Sequence, residues 1–165
     1  MLKLKDKVAI ITGGGSGIGF GLTIAFAKEG ADLVITGRTE SKLIKAKETL
    51  EKEYGVKVLA ITADGGKEED VRNVIDKTIK EYGRIDVVIN NAQASKSGVL
   101  LADHTKEDFD LAIYSGLYST FYYMREALPF LKESRGSIIN FASGAGLFGK
   151  PGQSSYAAAK EGIRG

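Results

Sequence analysis

The chain has 165 residues and a formal net charge of +2, with 43% hydrophobic and 27% charged residues. That is enough chain for one domain with a sizeable core, and its charge shows no bias toward nucleic acid or an anionic membrane. With no cysteine and one histidine, disulfides, thiolate nucleophiles and zinc–thiolate sites are excluded, and no metal site is expected.

Short apolar runs alternate with helical patterns. Val8–Thr12 reads as a buried strand, and residues 17–29 as a helix stopped by Gly30. Asp32–Thr36 is a second strand. Residues 40–54 form a charged helix with Leu43, Ala46 and Leu50 as its apolar stripe. Its lysines, Lys42, Lys45, Lys47 and Lys52, interleave with glutamates and read as a solvated face. Residues 56–62 are a third strand. Glu68–Tyr82 is a third helix, stopped by Gly83. Ile85–Ile89 is a fourth strand. Residues 105–132 hold a long helical region opened by a capping-box pattern, Thr105-x-x-Asp108. His104, just before that cap, reads as exposed. Tyr114, Tyr118, Phe121, Tyr122 and Tyr123 crowd the same region, a composition of core or interface. Ser137–Phe141 is a fifth strand, and a last helix starts near Ser154 or Ser155.

Apolar, non-alternating strands separated by helices mean a parallel sheet covered on both faces. The expected fold is α/β: a doubly wound, Rossmann-type sheet in three layers, forming a single domain over residues 1–165. The last helix stops at Gly165 after roughly two turns, too short to cover the fifth strand. The expectation is therefore a chain truncated at its C-terminus and missing the last strands of the fold. The N-terminus lacks the apolar core of a signal peptide and no run is long enough to span a bilayer, so a cytoplasmic protein is expected.

Three stretches carry chemistry. Thr12-Gly13-Gly14-Gly15-Ser16-Gly17-Ile18-Gly19 lies between the first strand and the first helix. Glycines let the backbone approach a pyrophosphate, and the helix N-terminus offers free N–H groups and a positive dipole end. The G-x-G-x-x-G spacing is absent, and no Gly-Lys-Ser/Thr follows, so this is not a Walker A loop. Tyr156 and Lys160 stand one helical turn apart on one face. An ammonium beside a phenol favours the phenolate, which makes Tyr156 a general acid or base. Ser143 follows the strand end at Phe141-Ala142, where a hydroxyl can bond a substrate oxygen. Taken alone, a Y-x-x-x-K pattern is an ordinary exposed helix face.

Taken together, T-G-x-x-x-G-x-G, Asn90-Asn91-Ala92 after the fourth strand, Ser143 and Tyr156-x-x-x-Lys160 make the chain similar to the short-chain dehydrogenase/reductase family. The resemblance runs from Lys7 to Gly165. It implies that Gly13, Gly17 and Gly19 cradle the pyrophosphate of a nicotinamide cofactor, with Gly15, Ser16 and Ile18 completing the turn. It implies that Asp64 contacts the adenine amino group; the plainer reading of Asp64 is a turn residue in Ala63-Asp64-Gly65-Gly66. Asn90 and Ala92 would line the cofactor and brace the sheet. Tyr156 would donate a proton to a carbonyl oxygen, Lys160 would support it and hold the nicotinamide ribose, and Ser143 would polarise the carbonyl. The implied reaction is hydride transfer between the cofactor and a small carbonyl or alcohol substrate: a sugar acid, a polyol or a 3-oxoacyl thioester. The implied assembly is a homo-oligomer, dimer or tetramer, formed through the long helix. A nucleotide-binding relative or fragment without catalysis is the alternative.

Cofactor choice turns on Ile35-Thr36-Gly37-Arg38-Thr39. An acidic residue there would bind the ribose 2′-OH and favour NAD(H). None is present, and Arg38 can meet a 2′-phosphate. NADP(H) is therefore expected in preference to NAD(H), which is still admitted. The chain departs from the family pattern at Gly65, at Gln93, which replaces the glycine of N-N-A-G, and at Gly116. Gly116 stands where the family has an asparagine that holds a relay water; Ser115, Tyr118 or an extra water in the space are the expected stand-ins.

Overall fold

The computed structural model describes residues 2–165. Val8–Thr12 (β1) is buried at all five positions, which requires cover on both faces of a sheet. It pairs in parallel with Asp32–Gly37 (β2) on one side and Val87–Asn90 (β4) on the other. Val58–Thr62 (β3) lies beyond β2, and Ser137–Asn140 (β5) beyond β4, so the order is β3-β2-β1-β4-β5. The strand order reverses between β1 and β4. A cleft opens at the carboxyl ends of parallel strands at such a reversal.

Successive β1 side chains serve opposite cores. Ile10 packs with Val34, Val71, Val74, Val88 and Tyr123 on one face. Ala9 and Ile11 pack with Leu33, Ile35, Leu43, Leu50 and Ile89 on the other. The helices that supply these layers are Gly17–Lys28 (α1), Glu40–Tyr54 (α2), Glu68–Tyr82 (α3), Lys106–Ala112 (α4), Ser119–Ser134 (α5), Gly144–Phe148 (α6) and Ser154–Arg164 (α7). α2 and α3 end on Gly55 and Gly83 in the left-handed conformation, where a side chain would cost energy.

The third and fourth strands start two residues later than their apolar runs, and β5 stops at Asn140. The long helical region opens with the expected Thr105–Asp108 capping box. It is not one α-helix: residues Ile113–Tyr118 form a π-helical turn between α4 and α5. α6 and a 3-10 turn at Leu101–Asp103 have no counterpart in the sequence reading. Among the described residues no helix is long and apolar enough to cross a membrane.

The amino-terminal edge of the sheet carries one buried carboxylate. Asp86 is 4% exposed and accepts hydrogen bonds from Val8 N at 3.0 Å, Lys7 Nζ at 3.1 Å, and Arg84 Nε and Nη2, both at 2.7 Å. Burial alone would raise its pKa. These donors outweigh it and hold the carboxyl below the usual range.

Candidate active site

Two clefts lie at the carboxyl ends of the strands. The first, of about 330 Å³, is floored by the glycine-rich turn and lined by Gly13, Gly15, Ser16, Ile18 and Gly19. Gly13 and Gly17 have φ of 70° and 55°, in the left-handed region. At Gly19 a Cβ would land on the Gly13 carbonyl oxygen and come 2.7 Å from Asn91 Nδ2. Only glycine lets the first turn of α1 press this closely on the loop. Ser16 makes no side-chain cap to α1. The turn thus leaves an open cradle of the kind an anionic group fills.

Thr12 stitches this turn to the triplet after β4. Its Oγ1 accepts from Asn91 N at 3.0 Å and Ala92 N at 2.9 Å and donates to Ile89 O at 3.3 Å. Asn91 Nδ2 donates to Thr12 O at 3.0 Å. Asn91, Ala92 and Gln93 line the cleft. Asn90 lies under it: its Nδ2 donates to Asn140 Oδ1 at 2.8 Å, which braces β4 against β5.

At the far end of the cleft Arg38 and Lys42 are both lining residues. Neither has a carboxylate partner among the described residues. Lys42 is exposed, as a solvated-face residue is, and the start of α2 also places it on the rim of the cleft. Asp64 also lines the cleft, and its Oδ1 accepts from Gly66 N at 3.0 Å. The turn role of Asp64 is thus present, with a second carboxylate oxygen left over. A Cβ at Gly65 would collide with the Ser119 hydroxyl and come 3.6 Å from Tyr123 Cε2, so the helix packing there demands glycine. Tyr123 donates to Thr36 Oγ1 at 3.2 Å. Burial pushes its phenol up to about 12, which keeps it protonated.

The second cleft is shared by Ser143, Tyr156, Ser97, Phe148, Lys150 and Gln153. Ser143 caps α6, its Oγ accepting from Ala145 N at 3.2 Å. That leaves its hydroxyl hydrogen free to donate. Tyr156 is in the first turn of α7. One turn on, Lys160 is 4% exposed and donates to Phe141 O at 2.6 Å. Its Nζ is 5.7 Å from the centre of the Tyr156 ring. Burial lowers the Lys160 pKa. At Gly146 a Cβ would come 2.7 Å from Glu161 N and 3.0 Å from Lys160 C. α6 therefore rests on the backbone of α7, and this contact fixes Ser143 relative to Lys160.

The two remaining departures meet in space. Gly116 is buried inside the π-helical turn, and a Cβ there would run into the Gln93 amide, 2.6 Å from Cδ. Ser115 is occupied with Ala94: its Oγ accepts from Ala94 N at 2.9 Å and has Ala94 O at 2.9 Å and Leu111 O at 2.6 Å as acceptors. Tyr118 is exposed and stacks on Tyr114, with ring centres 5.0 Å apart.

His104 is not the exposed residue its sequence context suggests. It is partly buried, with Nε2 2.9 Å from Ser155 Oγ. The contact ties the segment before α4 to the residue preceding Tyr156. Lys42, Asn91 and His104 escaped the sequence reading. Asn91 alone had a signal, as the middle of the N-N-A triplet.

Residues 7–165 match the family model described as short chain dehydrogenase. A 12alpha-hydroxysteroid dehydrogenase from Clostridium sp. is 64% identical over 165 residues, covering 96% of this chain and 64% of that protein. Among solved structures, NAD+-bound xylitol dehydrogenase superposes with a TM-score of 0.93 at 26% identity, covering 98% of this chain and 62% of that one. An alcohol dehydrogenase from the archaeon Thermococcus sibiricus, complexed with 5-hydroxy-NADP, gives 0.92 at 29% identity, covering 96% and 67%. The chain thus spans 64% of the length of the hydroxysteroid dehydrogenase.

Proposed function

The chain belongs to the short-chain dehydrogenase family, and on that premise we propose that it transfers a hydride between NADP(H) and the hydroxyl or oxo group of an alicyclic, hydroxysteroid-like substrate. The observation that carries this reading is the pairing of Ser143 with Tyr156 in one cleft, above the buried Lys160. The bound cofactor supplies the hydride in reduction and accepts it in oxidation.

Tyr156 is the acid and base. In reduction its hydroxyl gives a proton to the substrate oxygen while the carbonyl carbon receives the hydride. In oxidation the phenolate takes the proton back. Ser143, its acceptor side engaged by Ala145 N, directs its own hydrogen at the same oxygen. The Lys160 ammonium lies 5.7 Å from the centre of the Tyr156 ring.

The glycine cradle fits a pyrophosphate. Gly13, Gly15, Ser16, Gly17, Ile18 and Gly19 would hold it, and Lys160 would also hold the nicotinamide ribose. Ala92 would border the cofactor, and Asn90 would support the cleft floor through its bond to Asn140. The free carboxylate oxygen of Asp64 suits the adenine amino group. Arg38 and Lys42, both without acidic partners, suit a 2′-phosphate, which favours NADP(H).

Two features support the substrate class: the 64% identity to a protein named for 12alpha-hydroxysteroids, and the apolar surface beside Ser143. There Phe148 is 83% exposed and Leu147 is 55% exposed. The same reading takes residues 1–165 as one cofactor-binding domain of a cytoplasmic homo-oligomer. The exposed aromatic face of α5 would be its contact.

Initial rates of NADPH and NADH oxidation with a 12-oxosteroid, a 3-oxoacyl thioester and a ketose test this. The expected result is turnover with the steroid and NADPH, lost in Tyr156→Phe with NADPH binding retained. Cofactor binding without turnover on any of the three would overturn it in favour of a nucleotide-binding protein.

A further inference from the structure

Gln93 lies where two parts of the molecule meet. On one side it lines the first cleft together with Ser115. On the other its amide occupies the space over Gly116 in the π-helical turn. We propose that Gln93 is a positioning residue that works as one unit with Gly116, holding this turn in shape and, through it, the helix that presents Tyr156 and Lys160.

The orientation of the amide is fixed by chemistry. Nε2 donates to Ala94 O and to Ala112 O, both at 3.0 Å. The opposite orientation would face an amide oxygen toward two carbonyl oxygens. Oε1 is therefore turned toward Gly116, where it is buried and has no donor. A buried amide oxygen without a donor is costly, so something else must keep the side chain there. The two Nε2 bonds do so. One of them reaches Ala112, where α-helical pairing gives way to the π-helical turn and backbone carbonyls need extra donors. Gly116 is the matching half: any side chain at that position would expel the Gln93 amide.

The turn in turn supports α7. A Cβ at Gly162 would come 3.0 Å from Leu117 Cδ2, so the α7 backbone passes directly over the π-helical segment. Lys160 and Tyr156 lie in the preceding turn and a half of the same helix. Ser115, bonded to Ala94, fastens the same junction. Gln93 does not reach the reacting atoms; it acts by fixing the segment on which α7 rests.

A double-substitution cycle read by melting temperature without ligand tests the coupling. Alanine favours a helix over glycine, so Gly116→Ala on an indifferent site would raise the melting temperature. Here it is expected to lower it by about 5 °C, and to raise it when Gln93→Gly is already present. Additive effects of the two substitutions would overturn the coupling. Gln93→Met keeps the volume but removes both donors. This arm rests on the oxidoreductase reading above. It is expected to lower kcat about tenfold and to displace the pH profile of kcat. An unchanged kcat and pH profile would overturn the positioning role. The cycle uses neither cofactor nor substrate, so it decides the coupling even if wild-type protein shows no turnover and the functional reading fails.

Discussion

Lys160 and Arg38 show how differently the fold treats two cations of one site. Lys160 is sealed under Tyr156 with a carbonyl at 2.6 Å, and burial lowers its pKa. Arg38 is exposed at the mouth of the cleft, with Lys42 beside it. On the proposed reading the combined charge of Arg38 and Lys42 favours a 2′-phosphate. Arg38→Ala with Lys42→Ala should raise the KM for NADPH about tenfold or more, the loss of one to two charge-assisted hydrogen bonds. The KM for NADH should move less than about twofold, since no 2′-phosphate is lost. Equal losses for both cofactors would refute the assignment. That Arg38 borders the cleft was legible because it directly follows the carboxyl end of β2. Lys42 was not. Its charge is one of several interleaved along α2, and helical spacing alone cannot say which lysine faces a cleft built by another element. His104 was misread for a similar reason. Its partner, Ser155, is far away in sequence and is brought close only when α7 packs behind α4.

At the scale of elements, α6 and the π-helical turn were the parts hidden from the sequence. α6 has five residues, Gly144–Phe148, two of them glycine, too short and too glycine-rich to form on propensity. The Ser143 cap and the contact with α7 make it. The contact at Gly146 is correspondingly strict. Gly146→Ala places a methyl group against the backbone of Lys160 and Glu161 and should push Ser143 away from Tyr156. The expected result is a fall in kcat of about a hundredfold, with cofactor binding, measured by fluorescence titration, unchanged. Full activity would show that the separation of Ser143 from α7 is not critical. The π-helical turn was invisible because the periodicity of residues 105–132 runs on through it. What distinguishes the turn is a side chain from the loop after β4, which no local pattern reports.

Over the whole molecule the strands themselves were legible. The inner strands β1, β2 and β4 are largely apolar on both faces, which only a covered parallel sheet accepts, whereas the edge strand β5 is exposed at three of its four positions. Their order follows less directly: the reversal between β1 and β4 is a matter of which strands pair, and pairing is not written in any single run. Because every strand is parallel, the proposed chemistry gathers at one edge and Asp86 lies at the other. Asp86→Asn should cost about 2 kcal/mol, a charge-assisted hydrogen-bond cluster weakened in a buried place. The melting temperature should fall by about 5 °C, with KM values untouched. A carboxyl whose folded pKa is depressed contributes stability above its ordinary value of about 3.9, and that stability is lost as pH falls through the depressed value. The acid-unfolding midpoint of Asp86→Asn should therefore be less steep in pH than that of the wild type.

This buried carboxylate also contributes to how the protein would fail in acid. Protonation of Asp86 acts at the edge of the sheet opposite the two clefts, so its effect is on folding. A ligand that binds only the folded state then opposes the proton. At about a hundred times its dissociation constant it adds about 2.7 kcal/mol. Saturating NADPH should move the acid midpoint to lower pH, and diluting the cofactor should bring it back. On the proposed reading, cofactor occupancy would thus raise acid tolerance across the full thickness of the sheet.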